Sequence, residues 1–146
     1  EAPNVMEILK LSYDELDPKL KLCFAYCSLF PEYYLFSEDS FIHHWIALGY
    51  VESQSENQNL VDIARDYVRR LKDQGFFNSY DNRRFQMHDV IHDLAVWVAG
   101  PTYKRVDSSE GLEFEDDRIR HLWIEGDEGG PPMDLQYSRL IKMTKQ

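Results

Sequence analysis

The sequence predicts a mainly α-helical domain that contains one small β-hairpin. Apolar residues recur at three- and four-residue spacing through most of residues 1–100. Proline, glycine and capping residues divide this pattern into segments of helix length. The spacing changes to short runs typical of strands at residue 76 and returns to helical spacing at residue 90.

The first two helices meet at Asp17-Pro18. Residues 5–16 suit a first helix, and Asp17 can accept a hydrogen bond from a backbone N–H at the start of the second. Pro18 suits the first helical position, because the N–H that it lacks has no partner there. Helical spacing then continues until Pro31 ends the second helix.

Two further helices follow, separated by a loop. Ser37 is a candidate cap for the third helix, which ends at Gly49. Residues 51–59 are polar and predict a loop. A fourth amphipathic helix follows, and Gly75 closes it.

A hairpin and a fifth helix complete the first hundred residues. Apolar and aromatic residues at 76–80 and 84–87 flank a polar turn and predict two antiparallel strands. Asp89 is the expected cap of a fifth helix that ends at Gly100. Helices, a two-stranded hairpin and a final helix in this order predict a winged-helix domain over residues 1–100.

Residues 101–146 have a different composition. Residues 107–117 contain acidic and no basic side chains, which predicts a solvated loop. A Gly-Gly-Pro-Pro turn follows at 129–132, and apolar runs are short. The sequence therefore divides near residue 100.

Charge and composition exclude several classes of protein. The formal net charge of −10 disfavours nucleic-acid binding, which requires a surplus of Lys and Arg. The two cysteines do not make a disulfide scaffold, and they favour a reduced, cytoplasmic setting. We expect no membrane span, because no apolar run approaches the required ~20 residues. The chain starts without Met, so we expect it to be part of a longer protein.

The sequence offers no candidate for catalysis. It contains neither a Gly-x-x-x-x-Gly-Lys-Ser/Thr phosphate loop nor a Gly-x-Gly-x-x-Gly motif. No Ser, Cys or Thr lies in a nucleophile elbow. We therefore expect a non-enzymatic protein with no catalytic residues.

Two sets of residues resemble metal ligands, and neither fits a zinc pattern. His88 and His92 are four residues apart, but the zinc-protease motif requires Glu after the first His, and Asp89 stands there. The second set comprises Cys23, Cys27, His43 and His44. Its spacing matches no strong zinc motif, and its cysteines lie on or near an apolar helix face, which predicts buried free thiols. We expect no metal site.

His88 is the residue of most interest. It lies where a strand ends and a helix begins, and free N–H groups at a helix N-terminus favour anions. Its imidazole can donate a hydrogen bond to a phosphate there. A histidine that merely lies near the helix cap is the alternative, and the residues alone favour it.

DNA binding is a weaker hypothesis. Winged helices often read DNA through a basic recognition helix, but the third helix contains no Lys or Arg. The basic residues of the fourth helix alternate with acids.

Four ordered sequence blocks resemble one known family. LKLSYDEL at 9–16, LKLCFAYCSLFP at 20–31, FIHHWIALGYV at 41–51 and Met87-His88-Asp89 are similar to the winged-helix segment of plant nucleotide-binding leucine-rich-repeat (NB-ARC type) disease-resistance receptors. His44 departs from the usual Leu and Leu48 from the common Glu.

The match is weaker beyond residue 100. RIRHLWI at 118–124 looks like the strand that opens the leucine-rich repeats of these receptors. The resemblance implies that residues 1–100 are the winged-helix domain of a nucleotide switch. Residues 101–146 would then be a linker and the first strand or strands of the loop-rich edge of a repeat domain.

The resemblance also implies a role for each motif residue. His88 would contact the β-phosphate of ADP held by an upstream nucleotide-binding domain, with Met87 packing and Asp89 capping to orient the loop. Exchange of ADP for ATP would release the closed, inactive receptor and permit homo-oligomerisation.

The resemblance places the binding partners in the same chain, as the upstream nucleotide-binding domain and the downstream leucine-rich repeats. ADP or ATP is expected as cofactor in the full-length receptor and none in the isolated fragment. The alternative is a protein-interaction winged helix without a nucleotide role.

Overall fold

The computed structural model describes residues 4–107, 121–125 and 133–136. Five α-helices lie in these ranges: α1 (Val5–Asp14), α2 (Pro18–Tyr26), α3 (Glu38–Ala47), α4 (Leu60–Asp73) and α5 (Asp89–Ala99). The first sheet comprises β1 (Phe36–Ser37), β2 (Asn78–Ser79) and β3 (Arg84–Gln86). The mainly helical fold with a small antiparallel sheet confirms the predicted winged-helix class.

Local capping chemistry starts most of the helices. The Asp17 carboxylate accepts a hydrogen bond from the Lys19 N–H at 2.9 Å, and Pro18 is the first residue of α2, as predicted. The Asn59 side chain accepts a hydrogen bond from the Val61 N–H at 2.8 Å at the start of α4. These side chains satisfy backbone donors that have no partner within the helix.

The cap prediction for α3 is only partly correct. Ser37 occupies the N-cap position, but its side chain makes no capping hydrogen bond. The Glu38 N–H donates instead to the carbonyl oxygen of Arg83 at 2.9 Å. Because Ser37 also belongs to β1, sheet pairing rather than a hydroxyl cap fixes where this helix begins.

The hairpin is confirmed, and a third strand joins it. β3 pairs antiparallel with β2 and, on its other edge, with β1, where Phe36 lies opposite Phe85. The Asp81 carboxylate organises the turn by accepting from the backbone N–H groups of Arg83 and Arg84 at 2.9 and 2.8 Å. The Arg84 guanidinium, followed by the Arg83 N–H, lowers the pKa of this carboxyl group.

Aromatic side chains fill the core between the sheet and the helices. The Phe85 ring on β3 has no exposed surface. Its centroid lies 4.5 Å from that of Phe77 and 5.0 Å from that of Phe36, both in stacked geometry. Phe41 of α3 contacts Phe36 at 4.7 Å, so the central strand and the third helix share one aromatic cluster.

A second sheet lies beyond residue 100. It comprises β4 (Tyr103–Asp107), β5 (His121–Glu125) and β6 (Met133–Gln136), with β4 parallel and β6 antiparallel to β5. β5 overlaps the expected strand at 118–124. That it opens a leucine-rich-repeat domain stays a prediction, as does the domain boundary at residue 100.

The remaining predictions for this part fall largely outside the described ranges. Asp107 ends β4, so the predicted acidic loop begins one residue later at the earliest. The rest of the acidic stretch and the turn at 129–132 lie outside the described residues. Within residues 4–107, 121–125 and 133–136, which the structure describes, no helix is long and apolar enough to cross a membrane.

The first testable prediction concerns the aromatic core. We expect Phe85→Ala to lower the free energy of unfolding by about 3–5 kcal/mol, because it leaves a cavity between Phe36 and Phe77. Urea denaturation followed by near-UV circular dichroism measures the loss. Tyr80→Ala, at a ring that is 56% exposed, is the control and should cost less than about 1 kcal/mol. Equal losses for the two variants would contradict this packing.

Candidate functional site at the start of helix α5

Residues 87–89 join the central strand to the fifth helix. Met87 follows β3 and is 1% exposed, so its side chain belongs to the core. Its carbonyl oxygen accepts a hydrogen bond from the Tyr33 N–H at 3.2 Å. The backbone before His88 is therefore held by core packing and by a hydrogen bond to a distant loop.

His88 is the N-cap of α5, and the predicted cap at Asp89 is wrong. The His88 backbone is extended, with φ −72° and ψ 167°, and its carbonyl oxygen accepts the first helical hydrogen bond from the His92 N–H at 2.9 Å. Asp89 is the first helical residue, and its carboxylate accepts from the Val90 N–H at 2.9 Å. After β3 ends at Gln86, the backbone stays extended through His88, so α5 begins at Asp89.

The His88 side chain is exposed at this helix start. Its ring makes no capping hydrogen bond, and it has no hydrogen bond or ion pair to any other residue within 4–101, whose side chains the structure describes. The ring of Tyr33 lies beside it, with 5.6 Å between centroids and 35° between planes. Both imidazole nitrogens are thus available to an outside ligand, next to N–H groups whose partial positive charge favours an anion.

Tyr33 is a site residue that the sequence did not reveal. It adopts φ +58°, the left-handed region that a bulky residue rarely occupies, and its ring is 51% exposed. Its N–H bond to Met87 holds this conformation while the ring lies against His88. The nearest sequence signal is Pro31, the predicted end of the second helix. That predicted end is wrong: α2 ends at Tyr26 and a 3₁₀ turn follows over Cys27–Leu29.

His92 anchors the same loop from the second turn of α5. Its ring is buried, and Nε2 lies 2.7 Å from the carbonyl oxygen of Phe30. Its Nδ1 lies 3.9 Å from a carboxylate oxygen of Glu32. His88 is a cap while His92 is bonded inside the fold, so the two rings do not form the paired ligands of a zinc-protease helix.

The second candidate metal set is not assembled as a site. Both cysteines are buried free thiols, as predicted, and the Cys27 thiol donates to the Cys23 carbonyl oxygen at 3.4 Å. Burial raises the pKa of both thiols. His43 and His44 are exposed on α3. Thiols that stay protonated are poor metal ligands, because the thiolate is the binding form.

Three of the four basic residues of α4 (Arg65, Arg69 and Lys72) are paired with acids rather than free to bind phosphate. Arg65 contacts Asp39 of α3 at 2.6 Å, and this hydrogen bond is the main cause of the raised pKa of its guanidinium. Lys72 lies 3.6 Å from Glu38. The neighbouring helix α3 presents acids and histidines at its surface, so this face does not favour DNA.

Comparison with known proteins identifies the fold's family. Residues 29–95 match the sequence family model of the disease resistance protein winged-helix domain. The putative disease resistance RPP13-like protein 1 of Arabidopsis thaliana is 29% identical over 145 residues, which cover 99% of this chain and 14% of that protein. Another putative disease resistance protein of Arabidopsis thaliana is 39% identical over 66% of this chain and 7% of its own length.

The disease resistance protein RPS5 of Arabidopsis thaliana is also similar, at 29% identity over 70% of this chain and 12% of that protein. The chain therefore spans between 7% and 14% of the length of these relatives.

The fold and these matches define a winged-helix domain of the disease-resistance type. The chain belongs to the plant nucleotide-binding leucine-rich-repeat (NB-ARC type) family of disease resistance proteins, as a segment that carries this domain. The roles of Met87, His88 and Asp89 stay predictions.

The buried thiols give a second testable prediction. We expect Cys23 and Cys27 to resist a thiol-specific reagent at pH 8 in the folded chain, because both are buried and their pKa values are raised. Both should react in urea. A colorimetric thiol count over time measures this. Rapid reaction of either thiol in the folded chain would contradict its burial.

Proposed function

We propose that this segment senses the phosphate of ADP through His88 and holds an immune receptor in its closed, inactive state until the nucleotide is exchanged. The nucleotide would be bound by an upstream nucleotide-binding domain of the same cytoplasmic receptor. Because the chain spans at most 14% of the relatives cited above, this activity of the whole protein is part of the proposal.

The observation that carries the proposal is the exposed His88 ring at the N-terminus of α5. An eleven-residue helix has a developed dipole, and the partial positive charge at its start favours an anion beside it. The free imidazole nitrogens can donate a hydrogen bond to a phosphate oxygen at that place. No change in the fold is needed to present them.

The surroundings of His88 support a positioned contact rather than a mobile one. Met87 is fixed in the core on one side, and the α5 backbone is fixed on the other. The Tyr33 ring lies beside the imidazole and restricts its movement. A ligand contact that is held in place in advance loses less conformational entropy on binding.

One histidine does not hold a nucleotide alone. The sequence of this chain contains no phosphate loop, so the upstream domain would supply most of the binding energy. His88 would then link nucleotide state to domain position: loss of its phosphate contact on exchange would favour the open state and homo-oligomerisation. We expect no measurable binding of ADP to the isolated chain, because one contact does not offset the cost of immobilising the ligand.

A protein-interaction module without a nucleotide role is the second candidate. Large apolar side chains are exposed on α1 and α5, among them Val5 at 61%, Leu11 at 65% and Trp97 at 59%. Exposed apolar surface of this kind often marks a contact with another domain. Such a contact is compatible with both candidates, so the role of His88 is the feature that distinguishes them.

The third testable prediction separates these candidates. In a receptor that includes the upstream domain, we expect His88→Ala to speed ADP dissociation about tenfold or more, since a hydrogen bond to a charged group contributes about 1.5–3 kcal/mol. Release of a fluorescent ADP analogue measures the rate. His43→Ala removes an exposed histidine from α3 and is the matched control. Equal rates for the wild type and both variants would favour the interaction module.

The fourth prediction concerns Asp89. We expect Asp89→Val in the full receptor to cause cell death in leaf tissue without a pathogen, because Val removes the carboxylate that accepts the Val90 N–H hydrogen bond and stabilises the start of α5. Asp62→Val, at a first-turn acid of α4, is the control and should stay inactive. If the Asp89→Val variant accumulates to the wild-type protein level and causes no cell death, the result would count against the nucleotide switch.

A further inference from the structure

A cluster of one imidazole and two carboxylates lies one helical turn from His88. We propose that Glu32, His92 and Asp93 bind a divalent transition-metal ion such as Zn²⁺, and that this ion would link the loop after Phe30 to α5. The proposal does not depend on ADP sensing, because none of its three ligands belongs to the Met-His-Asp motif.

The three side chains already converge. One ligand atom from each lies within 4.8 Å of the others, and His92 Nδ1 is 3.9 Å from a Glu32 oxygen. Zinc binds nitrogen and carboxylate oxygen at about 2.0–2.2 Å, so two ligands of one ion lie up to roughly 4 Å apart. Glu32 and Asp93 are exposed and can close the remaining gap by side-chain rotation alone.

His92 is oriented as a metal-binding histidine is. The carbonyl oxygen of Phe30 can only accept, so the Nε2 atom of His92 at 2.7 Å must carry the hydrogen and donate it. In the neutral ring, Nδ1 then carries the lone pair and faces Glu32. Histidine ligands characteristically donate their other N–H to a carbonyl or carboxylate group, which fixes the tautomer. Burial of His92 at 7% exposure prevents the ring from turning away.

The charges of the cluster favour a cation. Among residues 4–101, whose side chains the structure describes, no Lys or Arg forms an ion pair with Glu32 or Asp93. A nitrogen lone pair and two carboxylates therefore face one another in a chain of net charge −10. A proton on Nδ1 would pair His92 with Glu32 alone, whereas a metal ion would use all three groups.

The ligand set indicates which ions would bind. Imidazole nitrogen suits zinc and other transition metals, while magnesium and calcium prefer oxygen ligands only. Three protein ligands leave at least one position for water. The ion would cross-link the loop that carries Tyr33 to the first turns of α5 and would stabilise the folded chain by mass action.

The test is calorimetric titration of the reduced 146-residue chain with Zn²⁺ alone. We expect one site, with affinity lowered about tenfold or more by Glu32→Gln and by Asp93→Asn. These variants keep side-chain size and leave the buried His92 intact. Glu56→Gln, an exposed loop residue, and Asp14→Asn, an exposed helix residue, are the matched controls and should bind as the wild type does. Equal affinity in all five proteins, or no saturable binding, would overturn the proposal.

A second readout locates the ion. Long-range ¹H–¹⁵N spectra distinguish the two nitrogens of each histidine ring, and Zn²⁺ should shift Nδ1 of His92 while Nε2 keeps its proton. Shifts confined to His43 or His44 would place zinc elsewhere and refute the site. An Nδ1 that stays protonated when Zn²⁺ is added would show an ion pair with Glu32 instead.

Discussion

The contact between the loop after Phe30 and the start of α5 is the constraint on which the candidate site depends. The His92 ring forms a hydrogen bond with the Phe30 carbonyl oxygen, 62 residues away in the sequence, and the Tyr33 N–H donates a hydrogen bond to the carbonyl oxygen of Met87. Neither bond is part of a helix or a sheet ladder. Together they hold Tyr33 in a left-handed backbone conformation, with its ring against His88. The position of the exposed imidazole therefore depends on contacts between residues that are distant in the sequence.

The aromatic core gives this contact a rigid base. Phe85 stacks between Phe36 and Phe77, which places β3 at the centre of the sheet and fixes the strand that leads to Met87. Phe30 also packs against Phe36, with 4.9 Å between ring centroids. The loop after Phe30 and strand β3 are therefore anchored in the same aromatic cluster. A shift of the loop or of the strand would move His88.

Local chemistry explains which features could be predicted from the sequence. The helices, the Asp17 cap and the hairpin depend on spacing and on neighbours in the chain, and these predictions are confirmed. β1 escaped prediction because two residues carry no periodicity, and its existence depends on pairing with β3. The cap at Asp89 was misplaced by one residue because the extended backbone stops at His88, so Asp89 is already the first helical residue. The left-handed conformation of Tyr33 depends on a tertiary hydrogen bond to Met87, and the spacing of apolar residues carries no information about such a bond.

Charge has different consequences on the two faces of this domain. On α3 and α4, acids pair with Arg65 and Lys72, so these two basic residues are not free to contact a phosphate backbone. Beside α5, the acids Glu32 and Asp93 have no such partners among residues 4–101, whose side chains the structure describes. The first turns of α5 thus place an anion-favouring helix start next to a cation-favouring cluster. Because the loop that carries Tyr33 contacts both, a ligand at either place would act on the same loop.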